Sequence, residues 1–423
     1  MNRVFDIIIV GAGPAGSITA YCLGNSGYTV AVIDKMQFPR EKICGDGLTL
    51  DVINQLNAIS PLLGKSFQDF QRKLSCSGAE IFSPDSRKIT LPVHPAENQK
   101  QMFTCKRMDF DYFLVRQLKQ FSNITLFEQC IPQNIIQSNE NILVETNMGR
   151  VEGKILVGAD GVNSFVARQM KVQRITKEHQ CVALRTYYRG VKPINSGNPI
   201  EMYLPKKILP GYIWIFHLED GTANVGIGIL ASVINKKGIH LNKIFEELLQ
   251  EEPLKSRLEC ATRIDRVKGL VIPLGGKERM ISGGRFLLAG DAASLVDPVT
   301  GEGVANAIRS GRIAASHIIR CFELNSFSAG FNKEYDSEIY RRMMPEFRLH
   351  LTLRKLLKYP YLINHIIGAA ASYPEIEGSL YQIMWNLDGS NQLKKLRILF
   401  KIAYIFTLKY LGLSIRSRFK STD

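Results

Sequence analysis

Ile7-Ile8-Ile9-Val10-Gly11-Ala12-Gly13-Pro14-Ala15-Gly16 is the stretch whose reading decides the fold. Four consecutive β-branched residues read as a strand buried on both faces, and the glycines after them, at G-x-G-x-x-G spacing, as a tight turn into a helix. In that pattern Gly11 permits the turn, Gly13 lets backbone approach a pyrophosphate, and Gly16 lets helix and strand pack closely. The helix, expected from about Ala15 to Ser26, turns its positive N-terminus toward the phosphate charge. A second strand, Thr29 to Ile33, completes a βαβ unit, the context such a motif requires. The unit runs out at Asp34, where a carboxylate can accept from both ribose hydroxyls of an adenosine and would repel a 2′-phosphate.

A second constellation lies far away in sequence. The apolar run Phe286-Leu287-Leu288-Ala289 reads as a buried strand and leads into Gly290-Asp291. Asp297-Pro298-Val299-Thr300-Gly301-Glu302-Gly303 then opens a helix to about Cys321. Asp291 can hold a ribityl hydroxyl, and Gly301 and Gly303 leave backbone N–H groups aimed over the helix start. The N1–C2=O edge of a flavin needs such donors, because negative charge collects there on reduction. The expected cofactor is FAD. No second G-x-G-x-x-G follows a strand, so the reductant is expected to be transiently docked NAD(P)H or an external electron carrier.

Between these loops, residues 50 to 100 read as loop-rich, with short strands around Ala79 to Phe82 and Lys88 to Leu91. Arg107 to Gln120 reads as a helix. Ile124 to Phe127, Ile142 to Glu145 and Gly153 to Gly158 read as antiparallel strands returning to the nucleotide fold. From about Gln180 to Val271 alternation prevails, as in Tyr212 to Leu218 and Ala223 to Leu230, with one helix near Leu241 to Leu249. The last hundred residues read as helical. The expected class is α/β with an α+β second domain: a Rossmann-like FAD-binding domain (1–75, 101–178 and 272–330) interleaved with an antiparallel-sheet substrate domain (76–100 and 179–271). A basic helical C-terminal region (331–423) follows.

The 423 residues carry a formal charge of +15, and Arg341 to Asp423 alone holds 14 Lys/Arg against 5 Asp/Glu. That bias suits an anionic membrane surface or an acidic electron-donor protein. Nucleic acid is not expected, since no recognition module is present and both glycine loops would be unexplained. Lys394 to Lys401 and Lys409 to Lys420 alternate basic and apolar residues, as a helix lying on a membrane would. No run is long and apolar enough to span one. The eight cysteines form no C-x-x-C pair, and the seven histidines no i, i+4 pair and no H-E-x-x-H, so no metal is expected. The absence of a secretory signal points to the cytoplasm, with docking at the inner face of the membrane.

Five segments carry a resemblance to the geranylgeranyl reductase family, within the para-hydroxybenzoate hydroxylase type of flavoprotein fold. They are Gly11 to Gly16; Phe38-Pro39-Arg40-Glu41-Lys42-Ile43-Cys44-Gly45-Asp46-Gly47; Arg107 with Phe110-Asp111; Gly158-Ala159-Asp160-Gly161; and Gly290 to Gly303. The resemblance implies that Arg107 and Asp160 help hold FAD and that Cys44 to Gly47 lies beside the isoalloxazine ring. Tyr212, Trp214 and Phe216 match the family's aromatic strand, which lines its substrate cavity, and alternation puts them on one face. His217-Leu218 stands where the family has Pro-Lys. The expected cofactor-binding residues are Gly11, Gly13, Ala15, Gly16, Asp34, Lys35, Arg40, Cys44, Gly45, Arg107, Asp160, Gly290, Asp291, Pro298, Gly301 and Gly303. Cys44, Tyr212 and Trp214 are the expected catalytic or cavity residues. The expected activity is hydride transfer from reduced FAD to a carbon–carbon double bond of a lipophilic, isoprenoid-type substrate. The alternatives are an FAD-dependent monooxygenase that hydroxylates or epoxidises such a substrate, and a non-catalytic flavin-fold binding protein.

Overall fold

The computed structural model describes residues 2–92, 102–372 and 380. Its first layer is a six-stranded sheet in the order Ser282–Gly283, Phe286–Leu288, Ile155–Gly158, Ile7–Val10, Val30–Ile33, Ile124–Phe127. All pairings are parallel except the Ser282–Gly283 edge. Ile7–Val10 lies inside this sheet and is buried along its whole length, as a strand covered on both faces must be. Ile155–Gly158 and Ile124–Phe127, both expected as antiparallel returns, pair in parallel instead, with Ile7–Val10 and with Val30–Ile33, so that Gly158 and Val10 end side by side. The antiparallel expectation holds for Ile142–Thr146, which joins Pro132–Gln137, Gly149–Gly153 and Asn2–Val4 in a separate four-stranded sheet.

The second layer is an eight-stranded sheet built on Gln180–Arg189, Thr222–Leu230, Tyr212–His217 and Ile200–Tyr203. Gly78–Phe82 pairs in parallel with Ile200–Tyr203, and Lys88–Pro92 closes that edge. One face of this sheet is apolar core: Ile213, Ile215, Val225, Ile227 and Ile229 pack on Phe245, Leu248 and Leu249 of the helix Leu241–Leu249. The opposite face looks back toward the nucleotide-binding layer.

Residues 50 to 68 differ from the loop-rich expectation. They form two helices, Leu50–Ile59 and Pro61–Gln68, with the Ser60 hydroxyl accepting from Leu63 N at the start of the second. Phe67 anchors them in a cluster with Phe103, Phe110 and Phe113. Nor does the chain from 331 begin as a separate body. The helix Ala329–Leu356 places Tyr335, Ile339, Met343 and Phe347 in the same core as the parallel sheet. The basic stretches at 394–401 and 409–420 lie outside the described residues. Among the described residues no helix is long and apolar enough to cross a membrane.

Candidate active site

The helix Pro14–Cys22 starts at Gly13 with no side-chain cap, so the N–H groups of its first turn face the cavity at its N-terminus. Gly11 has φ +101°, and a Cβ there would lie 2.3 Å from Ala159 O. A Cβ on Gly13 would instead project into free space, the nearest atom being Arg40 Nη2 at 3.7 Å. Gly16 lies against Gly11 O and Ala159, a packing role away from the cavity wall. Asp34 accepts from Ala12 N (2.8 Å) and Met36 N (2.9 Å), and its backbone ends the strand at the cavity edge. Lys35 is exposed beside it. Arg40 lies 3.7 Å from Asp34 and 3.2 Å from Asp111. A backbone cradle with open donors, one missing Cβ and an arginine alongside fits a pyrophosphate.

Arg107 is buried, and both its Nε and Nη2 donate to Asp111. Burial works against its charge, but the Asp111 carboxylate outweighs it and holds the guanidinium pKa high. Asp160 lines the cavity, yet its carboxylate accepts from Ser164 Oγ, Phe165 N and Val166 N and so caps the helix Phe165–Gln169. Its contribution is to shape the loop that Gly11 packs on.

On the other side, Gly290, Asp291, Pro298, Gly301 and Gly303 line the same cavity. Asp291 is half-buried at the foot of the helix Val304–Glu323, with Lys42 Nζ 3.9 Å away. The loop is held by Asp297, which accepts from Val299 N, Thr300 N and Thr300 Oγ1 on one oxygen and pairs with His350 Nδ1 on the other. Burial raises the Asp297 pKa, but His350 and these N–H groups outweigh it, and the net shift is downward. Asp297, Glu346 and His350 lie within 4.8 Å of one another. Glu302 faces the cavity beside Thr49 and Asp51; burial raises its carboxyl to about 7 despite the bond it accepts from Ala305 N.

Cys44 and Gly45 form the wall between the two loops. Their position is set by a network that sequence reasoning missed. Asp46, fully buried at φ +66°, accepts from Arg107 N, Tyr187 hydroxyl (2.7 Å) and Asn224 Nδ2 (2.8 Å). Asn224 Nδ2 also donates to Cys44 O, while its Oδ1 accepts from Trp214 Nε1 (2.9 Å). Burial raises the Asp46 pKa, opposed by those donors and by the Arg185 charge. The loop is thereby tied to the second sheet. No spacing in the sequence links residues 46, 187 and 224; strand pairing alone does so.

Tyr212, Trp214 and Phe216 all line the cavity, as do Ile200 and Met202 on the neighbouring strand. Space for the Trp214 indole exists because Gly226 lies beneath it, where a Cβ would sit 2.1 Å from the ring. His217 turns to the opposite face and bonds Glu201, which also takes Arg257 and Tyr203. The departure from Pro-Lys therefore lies off the cavity wall. His350 and Arg354 also line the cavity from the helix Ala329–Leu356. The Glu346, His350, Arg354 spacing of four was the readable signal for them.

A parallel sheet with a glycine-led helix start, continuous through one cavity of about 770 Å³ with the aromatic face of a second sheet, defines an FAD-dependent oxidoreductase. An FAD binding domain matches residues 4–203, and a geranylgeranyl reductase catalytic domain matches residues 181–271. A digeranylgeranylglycerophospholipid reductase of Methanocella arvoryzae is 30% identical over 350 residues, 80% of this chain and 83% of that protein. The enzyme of that name from Methanocaldococcus jannaschii is 28% identical over 364 residues, 85% and 88% of the two chains. A geranylgeranyl bacteriochlorophyll reductase-like protein of Thermoplasma acidophilum shares the fold, with a TM-score of 0.80 at 23% identity over 97% of this chain and 99% of that one. The chain belongs to the geranylgeranyl reductase family.

Proposed function

We propose that this protein reduces carbon–carbon double bonds in the prenyl chain of a lipophilic substrate, using electrons carried by FAD. The carrying observation is the single cavity that joins the glycine loop to the apolar face of the second sheet. The loop Gly11–Gly16 and Arg40 would hold the pyrophosphate, Asp34 the adenosine ribose and Asp291 the ribityl chain. The N–H groups at Gly301 and Gly303 would meet the pyrimidine edge. FAD, when bound, supplies two electrons and one of the two added hydrogens.

The protein's own part is to position and to exclude water. Trp214, Phe216, Ile200 and Met202 offer an apolar wall to a hydrocarbon chain, and the Asp46 network holds Cys44 and Gly45 against it. The second hydrogen arrives as a proton, and Glu302, whose carboxyl titrates at about 7, can hold one at the cavity wall under neutral conditions. The reductant is NAD(P)H or an electron-carrier protein. The basic surplus at the C-terminal end favours an anionic membrane surface, which co-sedimentation with anionic vesicles at low and high salt tests.

Anaerobic single turnover is the decisive experiment. Pre-reduced protein mixed with a geranylgeranyl substrate without dioxygen should yield a product heavier by two hydrogens per double bond. Turnover that occurs only with dioxygen, giving an oxygenated product, would instead establish the monooxygenase.

A further inference from the structure

Asn224 is fully buried on an inner strand of the second sheet, Thr222–Leu230, and the reading above gives it no part in the reduction. Strand register sets it opposite Phe216 on one side and Tyr187 on the other, so its side chain shares the cavity-facing side of the sheet with Phe216. An amide has an acceptor at one end and donors at the other, and here both ends are engaged. The oxygen accepts from Trp214 Nε1 at 2.9 Å, while the nitrogen donates to Cys44 O and to Asp46 Oδ2, each at 2.8 Å.

The two ends lead to different walls. Trp214 belongs to the apolar wall, and two glycines let its indole close on Asn224: a Cβ on Gly226 would sit 2.1 Å from Cζ2, and one on Gly45 would sit 3.4 Å from Nε1. Cys44 and Gly45 belong to the segment tied to the cofactor loops, where Arg40 pairs with Asp34 and Asp111 and Lys42 lies 3.9 Å from Asp291. One side chain thus joins the wall offered to a hydrocarbon to the segment bordering the cofactor end of the cavity. Asp46 stiffens the join, because it is fully buried in left-handed backbone and also accepts from Arg107 N and the Tyr187 hydroxyl.

We propose that Asn224 is a positioning residue for the reduction: its amide registers the Trp214 ring with the Cys44–Gly45 peptide, and so sets how a bound chain meets the flavin. The proposal rests on the reductase reading and adds to it that the approach is set from the second sheet, through an amide that touches neither ligand.

Oxidised, FAD-loaded protein gives a readout without turnover. Geranylgeraniol should perturb the flavin absorption spectrum of the native protein, and Asn224→Leu should bind FAD and geranylgeraniol with near-native affinity yet lose most of that perturbation. No perturbation on binding to the native protein, or a full one in the variant, overturns the proposal whatever the protein reduces. In anaerobic single turnover, Asn224→Leu and Trp214→Phe should each slow hydride transfer about 10–100-fold, the worth of a misplaced reacting pair, with the half-saturating substrate concentration unchanged. The double variant should be no slower than the slower single one, since the two side chains act as a unit; losses that multiply overturn the proposal. Asn224→Asp supplies the rescue, and carries the test with Trp214→Phe if Asn224→Leu fails to fold. Its carboxylate keeps the acceptor for Trp214 and faces Asp46, with the Tyr187 hydroxyl, Arg107 N and the Arg185 charge around the pair. Adjacent carboxyls take up a shared proton as pH falls, which returns a donor, so the rate of Asn224→Asp relative to native should rise from pH 8 to pH 5. A ratio that stays flat overturns the proposal, whereas a native protein that reduces nothing sinks the reductase reading and leaves the spectral test standing.

Discussion

Two glycines two residues apart meet different neighbours, and their substitutions separate folding from cofactor binding. A methyl at Gly11 collides with the Ala159 backbone at a φ only glycine adopts easily, so Gly11→Ala should lose both fold stability and FAD. Gly13 has ordinary extended backbone and open space where its Cβ would go. Gly13→Ala should therefore cost the FAD-free protein about 1 kcal/mol or less and weaken FAD binding at least tenfold. Titration of flavin fluorescence checks this, and native affinity in that variant would remove the pyrophosphate from this loop. Glu302 gives a pH test. Its carboxyl rises from 4.5 to about 7 in the folded chain, so its stabilising contribution is present below pH 4.5 and is lost as pH climbs through 7. Glu302→Gln, neutral throughout, should gain on the native protein by about 1–2 kcal/mol between pH 5 and pH 8, allowing for water at the cavity wall. Urea unfolding of the FAD-free proteins at both pH values measures the difference; a flat one means Glu302 ionises as an ordinary carboxylate.

Elements differ in how openly their sequence announces them. Ile7–Val10 is a continuous apolar run buried along its whole length, and Tyr212–His217 alternates aromatic with aliphatic residues so that its aromatic side chains share one face. The helices Leu50–Ile59 and Pro61–Gln68 carry a fainter signal, although Ser60-Pro61 is a cap followed by proline at the first helical position. What holds them is tertiary: Phe67 is fully buried against three other rings from residues 103 to 113. Phe67→Ala should lower stability by about 3–5 kcal/mol, read as a shifted denaturation midpoint. FAD affinity should hold below the transition, because the ring does not touch the cavity. An equal loss of FAD affinity would make these helices part of the cofactor site.

At the scale of the molecule, the cavity wall draws on residues from Val10 to Arg354 and on both large sheets. A cofactor bound there bridges the two layers, so FAD at a hundred times its dissociation constant should add about 2.7 kcal/mol to a single unfolding transition. The protein has two tryptophans, and Trp385→Phe leaves Trp214 as the reporter of the second sheet. Trp214 emission and flavin release should share one midpoint. Two separate midpoints would mean that the layers unfold independently and that the bridge is weak.

From sequence alone came the nucleotide loop, the flavin loop near residue 300 and the aromatic face of Tyr212, Trp214 and Phe216. Each is local: a few residues at a set spacing along one strand or turn dictate which atoms point where. The Asp46–Tyr187–Asn224 network and the arrival of His350 and Arg354 on the cavity wall were decided only by the tertiary structure. Those depend on which strands pair and in what register, and a contact between residues a hundred or more positions apart leaves no periodic trace in the chain that makes it.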